Sequence, residues 1–234
     1  MKQNIHINSL WIACLLILGL ASCSDDKESL LVVEPQASGI FVDERDGHSY
    51  NWVRIGSLDW MCDNAAYNLD DNANCTFYVP YSDWEENDPE DIMSEKYGYL
   101  YTYQGALNAA PNGWRLPSDE DWQLLEQALG MPKAQASQLE WRGSNVAYLM
   151  LQKNEGTRLG FQFGGYYTSY LGSYDPHYWY LGSYGFYWTS TKDEEKDGEY
   201  YFYRKLSYHS SQVYRQSIEP SAYMLSVRFV RDAK

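Results

Sequence analysis

Pro111-Asn112-Gly113-Trp114-Arg115-Leu116-Pro117-Ser118-Asp119-Glu120-Asp121-Trp122 is the stretch whose reading decides the fold. Pro111-Asn112-Gly113 breaks whatever precedes it. The residue before a proline is pushed into extended backbone, so Trp114-Arg115-Leu116 reads as a short extended segment. It sends Trp114 and Leu116 into a core and stops at Pro117. Ser118 has the side chain of a helix N-cap, and Asp119, Glu120 and Asp121 fill the first turn, where the helix dipole favours acids. Trp122, Leu125, Ala128 and Leu129 share one helical face. Gly130 ends the helix and Pro132 prevents its resumption.

Working outward, a weaker second helix runs from Lys133 to about Leu139, and Ser144 to Gln152 forms a further short element. Towards the N-terminus, Ile40-Phe41-Val42 and Tyr50-Asn51-Trp52-Val53-Arg54-Ile55 flank Asp46-Gly47, a hairpin signal. Asp59-Trp60-Met61 begins another strand. Residues 65–96 are polar and lack periodicity, which predicts a loop-rich insertion. Tyr97 to Tyr103 reads as a strand and Gln104 to Ala110 as a short helix. From Gly160 onward the chain is strands and turns. Tyr170-Leu171-Gly172-Ser173-Tyr174 recurs as Tyr180-Leu181-Gly182-Ser183-Tyr184, which predicts two strand ends joined at Asp175-Pro176-His177. Further strands follow at Phe186-Tyr187-Trp188, Tyr200 to Leu206, Gln212-Val213-Tyr214 and Leu225 to Val230. Helices early and antiparallel strands late make the class α+β.

The N-terminus carries a separate message. Lys2 precedes an unbroken apolar run from Leu10 to Leu20, the length of a signal-peptide core and too short to span a membrane. It ends in Leu20-Ala21-Ser22-Cys23, which resembles the lipobox of bacterial lipoproteins. The resemblance implies a signal peptide over 1–22, lipidation of Cys23, a tether over 23–38 and a folded domain over 39–234. Ser24-Asp25-Asp26-Lys27-Glu28 is either a solvated linker or, by its resemblance to the surface-export signal of Bacteroidota lipoproteins, a mark of the outer leaflet. The expected location is the outer membrane, lipid-anchored and facing the cell surface.

The formal net charge is −14, and it becomes −15 without the leader, whose one ionised side chain is Lys2. Such a chain does not favour nucleic acid or an anionic membrane surface. The expected partners are the membrane, through the anchor, and a glycan or surface protein. Cys14 leaves with the leader and Cys23 is acylated. That leaves Cys62 and Cys75, which either form a disulfide in an oxidising compartment or stand as separate thiols.

Catalysis needs a nucleophile with a base, a metal site or paired carboxylates. His48, His177 and His209 show no zinc-site spacing, and there is no Gly-x-Ser-x-Gly or phosphate loop. The acidic runs Asp70-Asp71-Asn72 and Glu85 to Asp91 do not match the spacing of a calcium loop. No cofactor, metal or enzymatic activity is expected.

Four blocks, in order, resemble the Fibrobacter succinogenes major paralogous domain over about residues 39–232. They are Phe41 to Gly47 continuing through Val53-Arg54-Ile55-Gly56 to Trp60-Met61 and Asn64; Tyr97-Gly98-Tyr99-Leu100-Tyr101; Pro111 to Asp119 with Trp122; and Gly185 to Thr191 with Ser226-Val227-Arg228-Phe229-Val230-Arg231-Asp232. Members often carry a cysteine before the Pro-x-Gly-Trp block and another in the closing strand. Here those positions are Ala110 and Phe229, lost together, as expected of one disulfide. The Gly-Trp-Arg-Leu-Pro-Ser block also resembles the broad C-type-lectin-like superfamily. That implies two short helices and a looped, mostly antiparallel sheet, without implying a shared function. Formylglycine-generating chemistry uses late cysteines, and none follows Cys75. Glu219-Pro220-Ser221 and Trp188-Thr189-Ser190 are poor matches to calcium-lectin motifs.

Aromatic content is the unusual feature, with 23 Tyr, 9 Trp and 7 Phe, and most of these rings fill a β-rich core and its rim. The rings crowd between Tyr166 and Trp188. Sugars stack their C–H faces on such rings while polar groups take the hydroxyls. Tyr174, Asp175, His177, Tyr178, Trp179 and Tyr180 are therefore the expected ligand-binding residues. The expected role is a non-catalytic surface binder of glycan or protein. Second comes a structural or adhesive component of the envelope, and third an enzyme.

Overall fold

The computed structural model describes residues 31–71, 73–78, 90–169 and 178–234; Cys23 and the leader lie outside them. Strands β1 (Ala37–Val42) and β2 (Ser49–Ile55) pair antiparallel through a turn in which Gly47 adopts φ 78°. Strands β3 (Leu58–Met61) and β13 (Val230–Asp232) complete a four-stranded sheet of order β1-β2-β3-β13. Part of the expected tether packs on the domain: Gln36 N–H donates to Arg54 O at 3.0 Å, and Val33 packs on the core. The pair β4 (Cys75–Thr76) and β5 (Leu100–Tyr101) is short.

The main sheet has the order β12-β7-β9-β10-β11-β6, with β8 added against β7. Its strands are β6 (Glu140–Arg142), β7 (Gly164–Thr168), β8 (Tyr178–Leu181), β9 (Tyr184–Lys192), β10 (Tyr201–Ser207), β11 (Ser210–Ile218) and β12 (Tyr223–Met224). Pairing is antiparallel except between β7 and β9, which run parallel at Gly165–Gly185. The fold is α+β with mostly antiparallel, open sheets.

The expected two helices are five among the described residues: α1 (Glu90–Tyr97), α2 (Tyr103–Asn108), α3 (Asp119–Ala128), α4 (Lys133–Ala136) and α5 (Val146–Leu151). α3 begins as its sequence dictates. The Ser118 hydroxyl accepts from Asp121 N–H and the Asp121 carboxylate accepts from Ser118 N–H, a reciprocal cap. Its buried face differs from expectation by one position: Ala128 is exposed and Glu126 is fully buried. α1 falls where a loop was expected. Leu225 to Val230 is not one strand. Leu225 and Ser226 make single bridges to Tyr101 and Tyr187, and regular pairing with β3 starts at Val230.

Two apolar clusters lie on opposite faces of the main sheet. On one face Tyr187, Leu206 and Val213 pack against Trp122, Leu125 and Leu129 of α3 and against Val146, Leu149 and Met150 of α5. On the other, Trp188 and Phe186 join Trp114, Leu116, Tyr101 and Phe229. Trp188 Nε1 donates to Tyr101 O at 2.8 Å. Arg228, fully buried, closes the seam: its guanidinium donates to Asn64 Oδ1 and to the carbonyls of Met61, Leu159 and Gly160. Buried charge is tolerated only with such saturation of its donors. Asn64 and Arg228 belong to the first and last sequence blocks, which accounts for their pairing across the chain.

Cys62 and Cys75 are free thiols, the second of the two alternatives, and not a disulfide. Cys62 packs on the helix-side cluster and Cys75 in the opposite one, where its sulfur accepts from Leu69 N–H at 3.3 Å. Burial pushes the Cys62 thiol up to about 11.

Candidate functional site

Side chains alternate along β10, and the alternation divides the sheet. Arg204 and Leu206 point to the helices and are fully buried, while Tyr201, Tyr203 and Lys205 point to the other face and are half-buried. On β11, Val213 and Arg215 go inward while Tyr214, Gln216 and Ile218 face out with Tyr203. Register then lines the outer side chains up. Trp141 is opposite Tyr214, Tyr214 opposite Lys205, and Lys205 opposite Phe186. The Phe186 ring meets Tyr166 of β7 edge-on at 4.9 Å. One row across five strands is thus Trp141–Tyr214–Lys205–Phe186–Tyr166, four rings with a single cation at the centre.

Part of this face is covered. Tyr103 of α2 stacks on Tyr201 at 3.6 Å and meets Trp188 edge-on. Beside that lid the face opens into a hollow of about 240 Å³, bounded by Tyr166, Tyr180, Phe186, Tyr203, Lys205 and Tyr223. Burial raises the Tyr166 and Tyr203 phenols, so both stay neutral hydrogen-bonding groups. Burial lowers Lys205, against the charge of Glu140, which favours the ammonium. The ammonium lies over the rings of Tyr214 at 3.9 Å and Trp141 at 5.1 Å. Larger hollows, of about 360 and 350 Å³, lie beside β2, but their walls mix polar and aliphatic side chains with one indole, Trp52, and one imidazole, His48. They offer no comparable set of stacking surfaces.

Of the residues expected to bind ligand, Tyr174, Asp175 and His177 lie outside the described residues. Tyr178 is turned away from the hollow: its hydroxyl meets Thr76 Oγ1 at 2.6 Å and its ring packs on Tyr78 and Tyr167. Trp179 is exposed. Tyr180 stands at the rim, its ring 5.1 Å from Tyr184 and 6.0 Å from Tyr166. Tyr180 therefore borders this hollow and Tyr178 does not.

Sequence reasoning missed Trp141, Tyr203, Lys205, Tyr214 and Tyr223. The period-two alternation of Tyr201-Phe202-Tyr203-Arg204-Lys205 was a usable signal, since it puts Tyr201, Tyr203 and Lys205 on one face. The strand order that adds Trp141 and Tyr166 to them was not. Among the described residues no three His, Cys, Asp or Glu side chains cluster as metal ligands.

No curated protein and no solved structure matches the chain. A family model does, that of the Fibrobacter succinogenes major domain, and it spans residues 53–231, from the second hairpin strand to the closing strand. The chain belongs to the Fibrobacter succinogenes major domain family.

Proposed function

We propose that this protein is a non-catalytic binding module that holds glycan on the aromatic face of its main sheet, tethered to the cell envelope through a lipidated Cys23. The observation that carries the reading is the row Trp141–Tyr214–Lys205–Phe186–Tyr166 beside an open hollow. Flat rings fixed by strand pairing lose little entropy on contact, and sugar C–H faces are the ligand surface that such rings suit. Phenol hydroxyls at the same surface take sugar hydroxyls. The architecture is proposed to be C-type-lectin-like, on the strength of the Gly-Trp-Arg-Leu-Pro-Ser block and its capped helix. The Leu20-Ala21-Ser22-Cys23 sequence supports the anchor, and the acidic residues after it support the outer surface of the outer membrane.

A glycan array tests the reading. Specific hits that are lost in Tyr203→Ala, with the fold intact by circular dichroism, support it, and an array without hits removes it. One observation favours assembly instead: β1 is an edge strand whose Ile40 and Val42 are 68% and 51% exposed. Such an edge is a template for pairing with another chain. Concentration-dependent association abolished by Ile40→Lys would favour that second role.

A further inference from the structure

Among the described residues, the guanidiniums that have carboxylate partners include Arg204 and Arg215 on Asp119, Arg142 on Glu126, Arg54 and Arg231 on Asp59, and Arg115 on Asp121. Lys205 is different. It sits at the middle of the aromatic row, borders the hollow and has no carboxylate within ion-pair distance among the described residues. Glu140 contributes only through its more distant charge, and its carboxylate is approached by Gln216 Nε2 at 3.5 Å. A half-buried ammonium whose surroundings are rings is poorly hydrated and gains more than a surface lysine from an anion.

We propose that the hollow selects a sugar bearing a carboxylate, a hexuronic-acid type of residue, with Lys205 as the group that recognises the acid. This rests on the glycan reading above and adds a ligand class to it. The rings of Tyr180 and Tyr203 supply the stacking surface over the buried Phe186, and the Lys205 ammonium takes the carboxylate. One ammonium without a guanidinium fork or a helix N-terminus suits a carboxylate better than a phosphate, which is usually held by several donors. The chain's net charge of −14 works against long polyanions. A single acidic residue in an otherwise neutral oligosaccharide therefore fits better than a polyuronate.

The test is calorimetric titration of the intact protein with a glucuronate-terminated oligosaccharide and its glucose-terminated counterpart. The wild type should bind the acidic sugar at least tenfold more tightly. Lys205→Gln should bring the two affinities within about twofold, Lys205→Arg should keep the preference, and Lys153→Gln, in the wall of both hollows beside β2, should leave it unchanged. Equal binding of both sugars by the wild type overturns the acid preference and leaves the glycan reading standing. Preference that survives in folded Lys205→Gln overturns the role of Lys205. Binding of neither sugar, with no hit on an array, overturns both readings together.

Discussion

Arg204 reaches from β10 to two carboxylates of α3, with Nη1 at 2.7 Å from Asp119 Oδ1 and Nε at 2.6 Å from Glu126 Oε1. Arg215 closes on Asp119 at 2.8 Å and Arg142 on Glu126 at 2.7 Å, so three guanidiniums and two carboxylates form one buried network between helix and sheet. Removing one partner from a buried pair strands the other's charge and costs about 3–5 kcal/mol. Glu126→Gln leaves Arg142 and Arg204 without that neutralisation and should fall in this range. Urea unfolding measures it, and a loss below about 1 kcal/mol would show that the network is open to water.

The same network sets acid sensitivity. Burial alone would raise Asp119, but Arg215 and Arg204 outweigh it and hold the carboxyl at about 2, against an ordinary 3.8. Arg115 and the Ser118 backbone lower Asp121 in the same way against its burial. A carboxyl depressed in the folded state contributes stability that is complete above its unfolded value and is lost as pH falls through its folded value. For Asp119 that window lies between about pH 4 and pH 2, and the loss is on the order of 2 kcal/mol. The urea midpoint should be level above pH 5 and drop steeply towards pH 2, with a shallower drop in Asp119→Asn. A midpoint unchanged down to pH 2 contradicts the assignment.

The same helix shows how far the sequence could be read. Its start at Ser118 and stop at Gly130 were legible because caps are local chemistry. Its buried face was misjudged at Ala128 and Glu126, because what buries Glu126 arrives from β6 and β10, far along the chain. α1 was invisible: Glu90 to Tyr97 has no apolar periodicity to announce it. The candidate site was half legible for a related reason. Ring density between Tyr166 and Trp188 pointed at the sheet that carries the hollow, and period-two alternation was present. Which strands neighbour which, and hence that Trp141 and Lys205 share a row with Phe186, follows only from pairing register.

Cys62 and Cys75 should be recovered as two unlinked thiols. They pack in different apolar clusters, and burial raises both, Cys62 to about 11. The thiolate is the reactive form, so alkylation at pH 8 should be slow in the native protein and fast in urea. Peptide mapping after alkylation in urea should find each cysteine singly modified. A cross-linked peptide containing both would require the two clusters to rearrange.

Tyr180 carries the last prediction, because its backbone and its ring pull in different directions. Its φ is 64°, in the left-handed region that a bulky residue seldom adopts, and its carbonyl accepts the turn-closing bond from Ser183 N–H at 3.0 Å. Such a conformation costs about 1 kcal/mol or more and persists where the surroundings enforce it. Across the strand pair Gly165 also has a positive φ, 66°, and a Cβ there would come within 2.2 Å of Trp179 O, so the β7–β8 pairing around Tyr180 requires glycine at that point. Tyr180 is nevertheless 49% exposed, and its ring serves the rim of the hollow rather than the core. Tyr180→Gly relieves the strain and deletes the ring. The variant should melt no lower than the wild type while glycan affinity falls several-fold. Lower stability with unchanged binding would mean that the ring serves packing and that the rim is no part of the site.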